Sequence, residues 1–541
     1  MSLLRNAEQS LKSQKTFKLL NAFVTNPSDA AWLEQHRPDL QRADERHHAR
    51  SPIFPIDGHT IAIKDNICSL GEPTTCGSGI LKGFKSPYEA TVIKKLKAAG
   101  AVLVGKTNLD EFGMGYGILS SHGVPLTSFI DNLQRTYSTN SIYGPVSNIY
   151  VRDSEALSAG GSSGGSAVAV RTGQCDAYTF LVNVYWDSGS RHCRALGTDT
   201  GGSVRFPAAC TGVVGYKPSY GMVSRWGVIA YANSLDTVGV LARTSPMARK
   251  VFDVIKGYDR RDPTSLSTKT RLRIAEQIEK RNSHSKCAKG FPLRVGVPEE
   301  YNTQELQPVI RQAWLETLQK LREQGHTIHR ISLPATKIAL SAYYILAPAE
   351  ASSNLAKYDG VRYGNKAGTR EGTDNVLYSA TRGEGLGEEV KRRILLGSYS
   401  LSAAAIDNYF IQAQKVRRLV QNDFNDMFAF QHPLLDPQQT KLPERNQKVD
   451  IIVTPTAQSP PPKLSAVENM SPIDAYAADV LTVPASLAGL PAINVPVPMP
   501  RLKDGDRDPG DLDTVGMQVL AQFGDDDLVF QAAQIIESLS E

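Results

Sequence analysis

The sequence predicts an α/β protein, and two stretches carry that expectation. Residues 90–99 are apolar at Val92, Ile93 and Leu96 and pass through Gly100 into the apolar run Ala101-Val102-Leu103-Val104. The run Leu293-Arg294-Val295-Gly296-Val297 is followed by 309–321, with Val309, Ala313, Thr317 and Leu321 on one face, and then by Gly325. Apolar residues three and four apart mark one face of a helix, a glycine closes it, and a short apolar run reads as a buried strand. A hydrophobic content of 41% against 21% charged residues is ordinary for a soluble globular chain, so a large core can form.

From the N-terminus, residues 1–45 read as a helical segment, of which 1–26 carry Arg5, Lys12, Lys15 and Lys18 against Glu8. It lacks the apolar core of a secretory signal, and either a weak mitochondrial address or a plain amphipathic helix fits it. Residues 46–541 read as one domain without internal repeats. The polar stretches 259–289 and 434–449 are expected to be surface excursions. The apolar stretch 481–500 holds Pro484, Pro491, Pro496, Pro498 and Pro500, which would break a membrane-spanning helix repeatedly, so no span is expected. A net charge of +5 over 541 residues exerts no strong pull on nucleic acid. The six cysteines show no zinc or redox spacing, which makes a reducing compartment the default. Neither a phosphate-binding loop nor a His/Cys metal cluster is present in the sequence, so no cofactor is expected in this chain.

The chemistry lies in two glycine-serine segments. Gly160-Gly161-Ser162-Ser163-Gly164-Gly165-Ser166 runs straight into Ala167-Val168-Ala169-Val170, which suits a tight entry into a buried helix better than a flexible tether. Gly197-Thr198-Asp199-Thr200-Gly201-Gly202-Ser203-Val204-Arg205-Phe206-Pro207 leads glycines directly into a serine, so backbone N–H groups can converge where an oxyanion would form beside a hydroxyl. A third run, Ile61-Ala62-Ile63-Lys64-Asp65-Asn66, has strand alternation and ends near a lysine.

These three segments resemble the signature of the amidase signature family. The resemblance implies that family's fold, a large mixed β-sheet core flanked by helices. It also implies a nucleophile at Ser203, a bridging Ser162 held by a cis peptide and a base at Lys64, with an oxyanion hole formed by Thr200, Gly201 and Gly202. A serine must lose its proton as it attacks, and a lysine can accept that proton only when burial keeps it neutral.

The likeness extends over nearly the whole chain. Gly105-Lys106-Thr107-Asn108-Leu109-Asp110-Glu111-Phe112-Gly113-Met114-Gly115, Ser234-Leu235-Asp236, Glu350-Ala351-Ser352-Ser353-Asn354, Tyr358-Asp359-Gly360-Val361-Arg362-Tyr363-Gly364, Lys391-Arg392-Arg393-Ile394-Leu395-Leu396-Gly397 and Tyr476-Ala477-Ala478-Asp479-Val480-Leu481 resemble the glutaminase subunits of tRNA-dependent amidotransferases, the fungal mitochondrial form above all. That resemblance implies hydrolysis of glutamine in the mitochondrial matrix. The ammonia passes to a heteromeric complex with subunits B and C, where Glu-tRNA(Gln) is amidated with ATP and Mg²⁺ bound to the partner. It further implies that Arg393 grips the glutamine carboxylate and Asp479 its ammonium, with Tyr343 in the same pocket. The alternatives are a free-standing amidase of small or acyl amides and a catalytically impaired assembly component.

Two departures from the family stand out. Ser162 and Ser203 lie further apart than the family places them, and removing 178–194 restores the spacing by joining Ala177 to Ala195. Retained intron sequence accounts for that excess, with a translated insertion as the competing reading. A second interruption spans 116–137.

Overall fold

A computed structural model describes residues 2–25, 29–115, 141–175, 193–284, 292–367, 377–435, 448–470, 472–500 and 510–539. The interruption 116–137 lies outside the described residues, as does 178–194 apart from Cys193 and Arg194.

The described strands are β1 (Thr60–Lys64), β2 (Val102–Thr107), β3 (Ser147–Arg152), β4 (Glu155–Ser158), β5 (Arg194–Asp199), β6 (Val214–Lys217), β7 (Thr237–Ala242), β8 (Arg294–Pro298), β9 (Thr327–Ile331), β10 (Ile451–Pro455), β11 (Ala492–Pro498) and β12 (Thr514–Leu520). Ten of them form one sheet in the order β2-β1-β5-β7-β6-β11-β12-β10-β8-β9, and β3 pairs with β4 alone. Pairing is parallel at both ends of the sheet, β2-β1-β5 and β10-β8-β9, and antiparallel through the middle. The sheet is therefore mixed, as the family resemblance implied. Strands β1, β5, β6, β7, β10 and β12 are buried at every residue, the pattern of strands covered on both faces.

Both predicted helix-strand units are present. Helix Thr91–Ala98 ends before Gly100, which has φ +84°, and a Cβ at that glycine would lie 2.1 Å from Asp57 Oδ1. Only glycine fits there, and the chain turns directly into β2. Helix Pro308–Glu323 lies between β8 and β9, with Gly325 at φ +92° beyond its end. The stretch 259–289 contains helix Thr268–His284, whose described side chains are exposed or half-buried apart from Ile274, while Asp259, Asp262 and Ser265 before it are buried. Among the described side chains of that helix Ile274 is the one buried apolar residue, so its periodicity is faint.

The N-terminal helices sit on the β1–β2 edge. Gln14 Nε2 in helix Leu3–Thr16 donates to Val104 O at 3.3 Å and Gln174 O at 3.1 Å, and Trp32 Nε1 in helix Asp29–His48 donates to Leu103 O at 3.0 Å. The second helix continues past residue 45, and its Arg46 pairs with buried Asp57 through two contacts of 2.7 Å. Among the described residues no helix is long and apolar enough to cross a membrane.

Candidate active site

Lys64 is the last residue of β1 and Asp199 the last of neighbouring β5, so the carboxyl ends of two parallel strands deliver the lysine and the second glycine-serine segment to one place. Lys64 is fully buried. Its Nζ lies 2.8 Å from Ser162 Oγ, 2.8 Å from Ser163 Oγ, 3.0 Å from Thr198 Oγ1 and 3.4 Å from Thr198 O. Burial lowers the amine to about 7, against the opposing pull of Asp110, Asp199, Asp236 and Cys76. A neutral amine has two hydrogens to donate and one lone pair to accept with. Ser163 and Thr198 can take the hydrogens, which leaves the lone pair for the Ser162 hydroxyl.

The Gly161–Ser162 peptide bond is cis. Ser162 is fixed further by its carbonyl, which accepts from Asp110 N–H at 3.3 Å, while Ser163 N–H donates to Ser203 O at 3.2 Å and so ties the two glycine-serine segments together. Gly165 and Gly197 are sterically required. A Cβ on Gly165 would lie 2.4 Å from Asn108 O, and one on Gly197 would lie 2.8 Å from Ser163 Oγ. Ser166 completes the seam by donating to Leu196 O at 3.0 Å.

Ser203 is buried in the turn between β5 and helix Arg205–Thr211. The N–H groups of Gly201, Gly202 and Ser203 donate no hydrogen bond among the described residues, although all three residues are buried. Buried backbone donors are nearly always satisfied, so three in succession without partners form a site ready for an anionic oxygen. The turn is framed from below by Asp199, which accepts from Arg205 Nε at 3.0 Å, Arg205 Nη2 at 2.8 Å and Val204 N–H at 3.2 Å. The Thr200 N–H likewise donates no hydrogen bond among the described residues, while its Oγ1 donates to Asp236 at 2.7 Å.

Tyr343, predicted for the pocket, stands against the turn, since a Cβ on Gly201 would lie 2.7 Å from its hydroxyl. Its ring packs edge-on to Tyr344 at 5.0 Å between centroids. Arg393 is buried although Lys391 and Arg392 beside it are partly exposed. Its Nε donates to Glu389 Oε1 at 2.8 Å and its Nη1 to Tyr231 OH at 2.7 Å, and the guanidinium lies 5.7, 5.5 and 5.6 Å from the rings of Tyr231, Tyr344 and Tyr476. Asp479 is buried, and Tyr344 OH donates to its Oδ2 at 2.8 Å, whereas its Oδ1 has no hydrogen-bond partner among the described residues. Burial holds this carboxyl well above its ordinary range, and the Thr482 hydroxyl nearby donates to the Asp479 backbone carbonyl at 3.2 Å.

The structure thus brings Lys64, Ser162 and the turn 200–203 together, and links that turn through Tyr343 and Tyr344 to Arg393 and Asp479. It adds Ser163, Thr198, Tyr231, Tyr344 and Glu389, none of which the sequence singles out. Glu389 was findable as a carboxylate four residues before Arg393 on a helix. Tyr231 was not, because 162 residues separate it from its partner.

A mixed sheet of this kind, setting a buried lysine against two glycine-serine segments, points to the amidase class. A sequence model of the family described as Amidase matches residues 8–179 and 186–530, and this chain belongs to that family. The gap in the match falls inside 178–194. Among curated proteins, the chain is 51% identical, over all of both chains, to the A subunit of the mitochondrial glutamyl-tRNA(Gln) amidotransferase of Coccidioides posadasii. It is 49% identical, over 99% of this chain and all of the relative, to the protein of the same name from Emericella nidulans. Among solved structures, the A subunit of the glutamyl-tRNA(Gln) amidotransferase from Thermotoga maritima superposes with a TM-score of 0.64 at 32% identity, covering 99% of this chain and 94% of that one.

Proposed function

We propose that this chain is the glutaminase subunit of a mitochondrial tRNA-dependent amidotransferase, in which Ser203 hydrolyses the glutamine side-chain amide through a relay of Ser162 and Lys64. The observation that carries the reading is the buried Lys64 amine 2.8 Å from Ser162 Oγ. Ser203 Oγ attacks the carboxamide carbon and passes its proton through Ser162 to neutral Lys64. The N–H groups of Gly201, Gly202 and Ser203 stabilise the oxyanion, each such donor being worth about 3 kcal/mol. The tetrahedral intermediate collapses as the same relay returns the proton to the leaving nitrogen, so ammonia departs. Water then enters by the reverse path and releases glutamate from Ser203.

Glutamine recognition draws on the pocket's charges. Arg393 is held at Nε and Nη1, which leaves Nη2 for the substrate carboxylate. Asp479 offers its unpartnered Oδ1 to the ammonium, whose positive charge would bring the carboxyl back to its ionised form. Both flank the single ring of Tyr344, as the two charged groups of a free amino acid flank one carbon. The ammonia is consumed on partner subunits B and C of the complex, where ATP and Mg²⁺ activate the glutamate of Glu-tRNA(Gln). The names of the fungal relatives support the mitochondrial setting.

The test is glutamine hydrolysis by the wild type and by Lys64→Ala, Ser162→Ala and Ser203→Ala in the assembled complex. Loss of a nucleophile or base acting as one unit is expected to lower kcat at least about a thousandfold. Retained glutaminase activity in Ser203→Ala would overturn the mechanism.

A further inference from the structure

Three carboxylates act on the Lys64 amine, those of Asp110, Asp199 and Asp236. Two of them are already engaged. Asp199 is locked to Arg205 by two charged contacts, of 3.0 and 2.8 Å. Asp236 accepts from Thr200 Oγ1 at 2.7 Å and from the N–H groups of Tyr231 and Ala232 at 2.9 and 3.0 Å. Asp110 differs, because its buried Oδ2 has no hydrogen-bond partner among the described residues.

The position of Asp110 is as specific as its lack of partners. Its N–H donates to Ser162 O at 3.3 Å, and its Oδ2 lies so close against Gly161 that a Cβ there would be 2.0 Å away. The chain turns immediately after it: Gly113 N–H donates back to Asp110 O at 2.8 Å, and a Cβ on Gly113 would stand 3.6 Å from Ser162 Oγ. Asp110 and Ser162 line one small cavity together with Ser158 and Gly160. An orphaned buried carboxylate oxygen is costly unless a charge develops to meet it.

We propose that Asp110 is a positioning residue of the relay, the counter-charge that keeps Lys64 basic enough to take the serine proton and stabilises the ammonium that results. This rests on the Lys64–Ser162–Ser203 relay and is independent of which amide is hydrolysed. The charged groups facing Asp110 are Lys64 from β1 and Arg393 from helix Glu388–Ser400. Those facing Lys64 are Asp110, Asp199 and Asp236, together with the Cys76 thiol, which burial keeps neutral. Burial by itself drives a lysine far down, and of the three carboxylates Asp110 is the one with neither a charged contact nor a hydrogen bond on its buried Oδ2, so its charge is the least compensated when that lysine becomes charged. Burial also lifts Asp110 itself, to about 6, against the pull of Lys64 and then Arg393, so its charge is present at neutral pH.

The experiment follows the rate at which a fluorophosphonate labels Ser203 as a function of pH in the assembled complex, with the site confirmed by peptide mapping. This readout needs no glutamine. In Asp110→Asn the acid midpoint of labelling is expected to move down by about one pH unit, the low end of what a neighbouring opposite charge does to a pKa. Asp110→Glu, which restores the charge, is expected to recover at least half of the shift, and Asp110→Ser serves as a second neutral variant if Asn does not fold. A midpoint that stays in place or moves up in a folded neutral variant overturns the proposal, as does a rise in KM for glutamine with an unmoved midpoint, which would make Asp110 a substrate anchor. Glutamine hydrolysis measured in parallel separates the two readings. A shifted midpoint without glutaminase activity upholds the role of Asp110 and sinks glutamine as substrate, whereas activity with an unmoved midpoint does the reverse.

Discussion

Arg393 donates its Nε–H to Glu389 Oε1 at 2.8 Å, one helical turn away, so the guanidinium is gripped from behind by its own helix. Tyr476 OH donates to the same carboxylate oxygen at 2.7 Å, and Arg392 reaches its other oxygen. Tyr231 holds Nη1, and the three surrounding rings keep water away while leaving the charge intact. An arginine fixed on two nitrogens has its third already oriented, which lowers the ordering cost of binding a carboxylate.

Replacing that fork with a point charge should separate binding from chemistry. Arg393→Lys is expected to raise KM for glutamine by on the order of thirtyfold, since truncating one partner of a desolvated charge pair costs about 2 kcal/mol or more. The value of kcat should change far less, because the carboxylate is remote from the breaking bond. Steady-state kinetics decide the matter: a fall in kcat with KM unmoved would place Arg393 outside the substrate site.

Much of the candidate site was legible in the sequence, since Ser162 and Ser203 lie in short segments most of whose glycines have a steric reason and Lys64 ends an alternating apolar run. Gly165 and Gly197 touch backbone or serine oxygens, and no other residue fits. The burial of Arg393 was not legible from its neighbours, as Lys391 and Arg392 make the local pattern look solvated. Only packing against three tyrosines from three separate regions accounts for it. Likewise, Asp110 stands in a recognisable motif, yet its orphaned oxygen exists only because the fold lays Gly161 against it. Helix Thr268–His284 leaves little trace in the sequence because one buried isoleucine does not make a period.

Activity should rise with pH through a midpoint near 7. Lys64 is lowered to about 7 by burial, and below that value its lone pair is occupied by a proton and cannot take the serine's. The acid limb of kcat/KM for glutamine should therefore have one ionisation in that region. A profile flat from about pH 6 to 8 would show that Lys64 does not act as the base.

Gly201 and Tyr343 form a second coupled pair. With a Cβ on Gly201 placed 2.7 Å from both Cζ and OH of Tyr343, Gly201→Ala must displace either the ring or the oxyanion turn. A displacement of about 1 Å at reacting groups costs on the order of a hundredfold in rate, and kcat should fall by that much. Combining it with Tyr343→Ala should recover part of the loss, and a double-mutant cycle with no coupling would disprove the contact.

Lys217 is a buried lysine outside the relay. Its Nζ donates to Pro218 O at 3.0 Å, and burial, with Arg205 adding to the effect, lowers it to about 7. Between that value and the ordinary lysine range the unfolded chain carries a proton that the folded one lacks, so stability from this group rises with pH across that window. Lys217→Met should raise the urea midpoint at about pH 7 and reduce the gain in stability between about pH 7 and 8.5. A variant with the wild-type slope would show that Lys217 stays charged in the fold.

The pair Asp199 and Arg205 offers the sharpest test of what holds the serine turn. Asp199 ends β5 and Arg205 begins the following helix, so their bond closes the loop that contains Gly201, Gly202 and Ser203. Arg205 also reaches across the core, to Thr482 O at 2.9 Å, Gln518 Oε1 at 2.6 Å and Ser486 Oγ at 2.9 Å. Both side chains are fully buried. Burial alone would raise the Asp199 carboxyl, but Arg205 more than offsets it and the net shift is downward. The stability from this carboxylate is therefore complete above its unfolded pKa and is lost as pH falls through the lower folded value. Arg205→Met leaves the charge stranded and should cost about 3–5 kcal/mol at neutral pH. Arg205→Met with Asp199→Asn removes both charges and should recover part of that stability while the rate stays low, because the turn loses its closure either way. If the urea midpoints of both the single and the double variant stay at the wild-type value while kcat is unchanged, the pair neither stabilises the fold nor shapes the site.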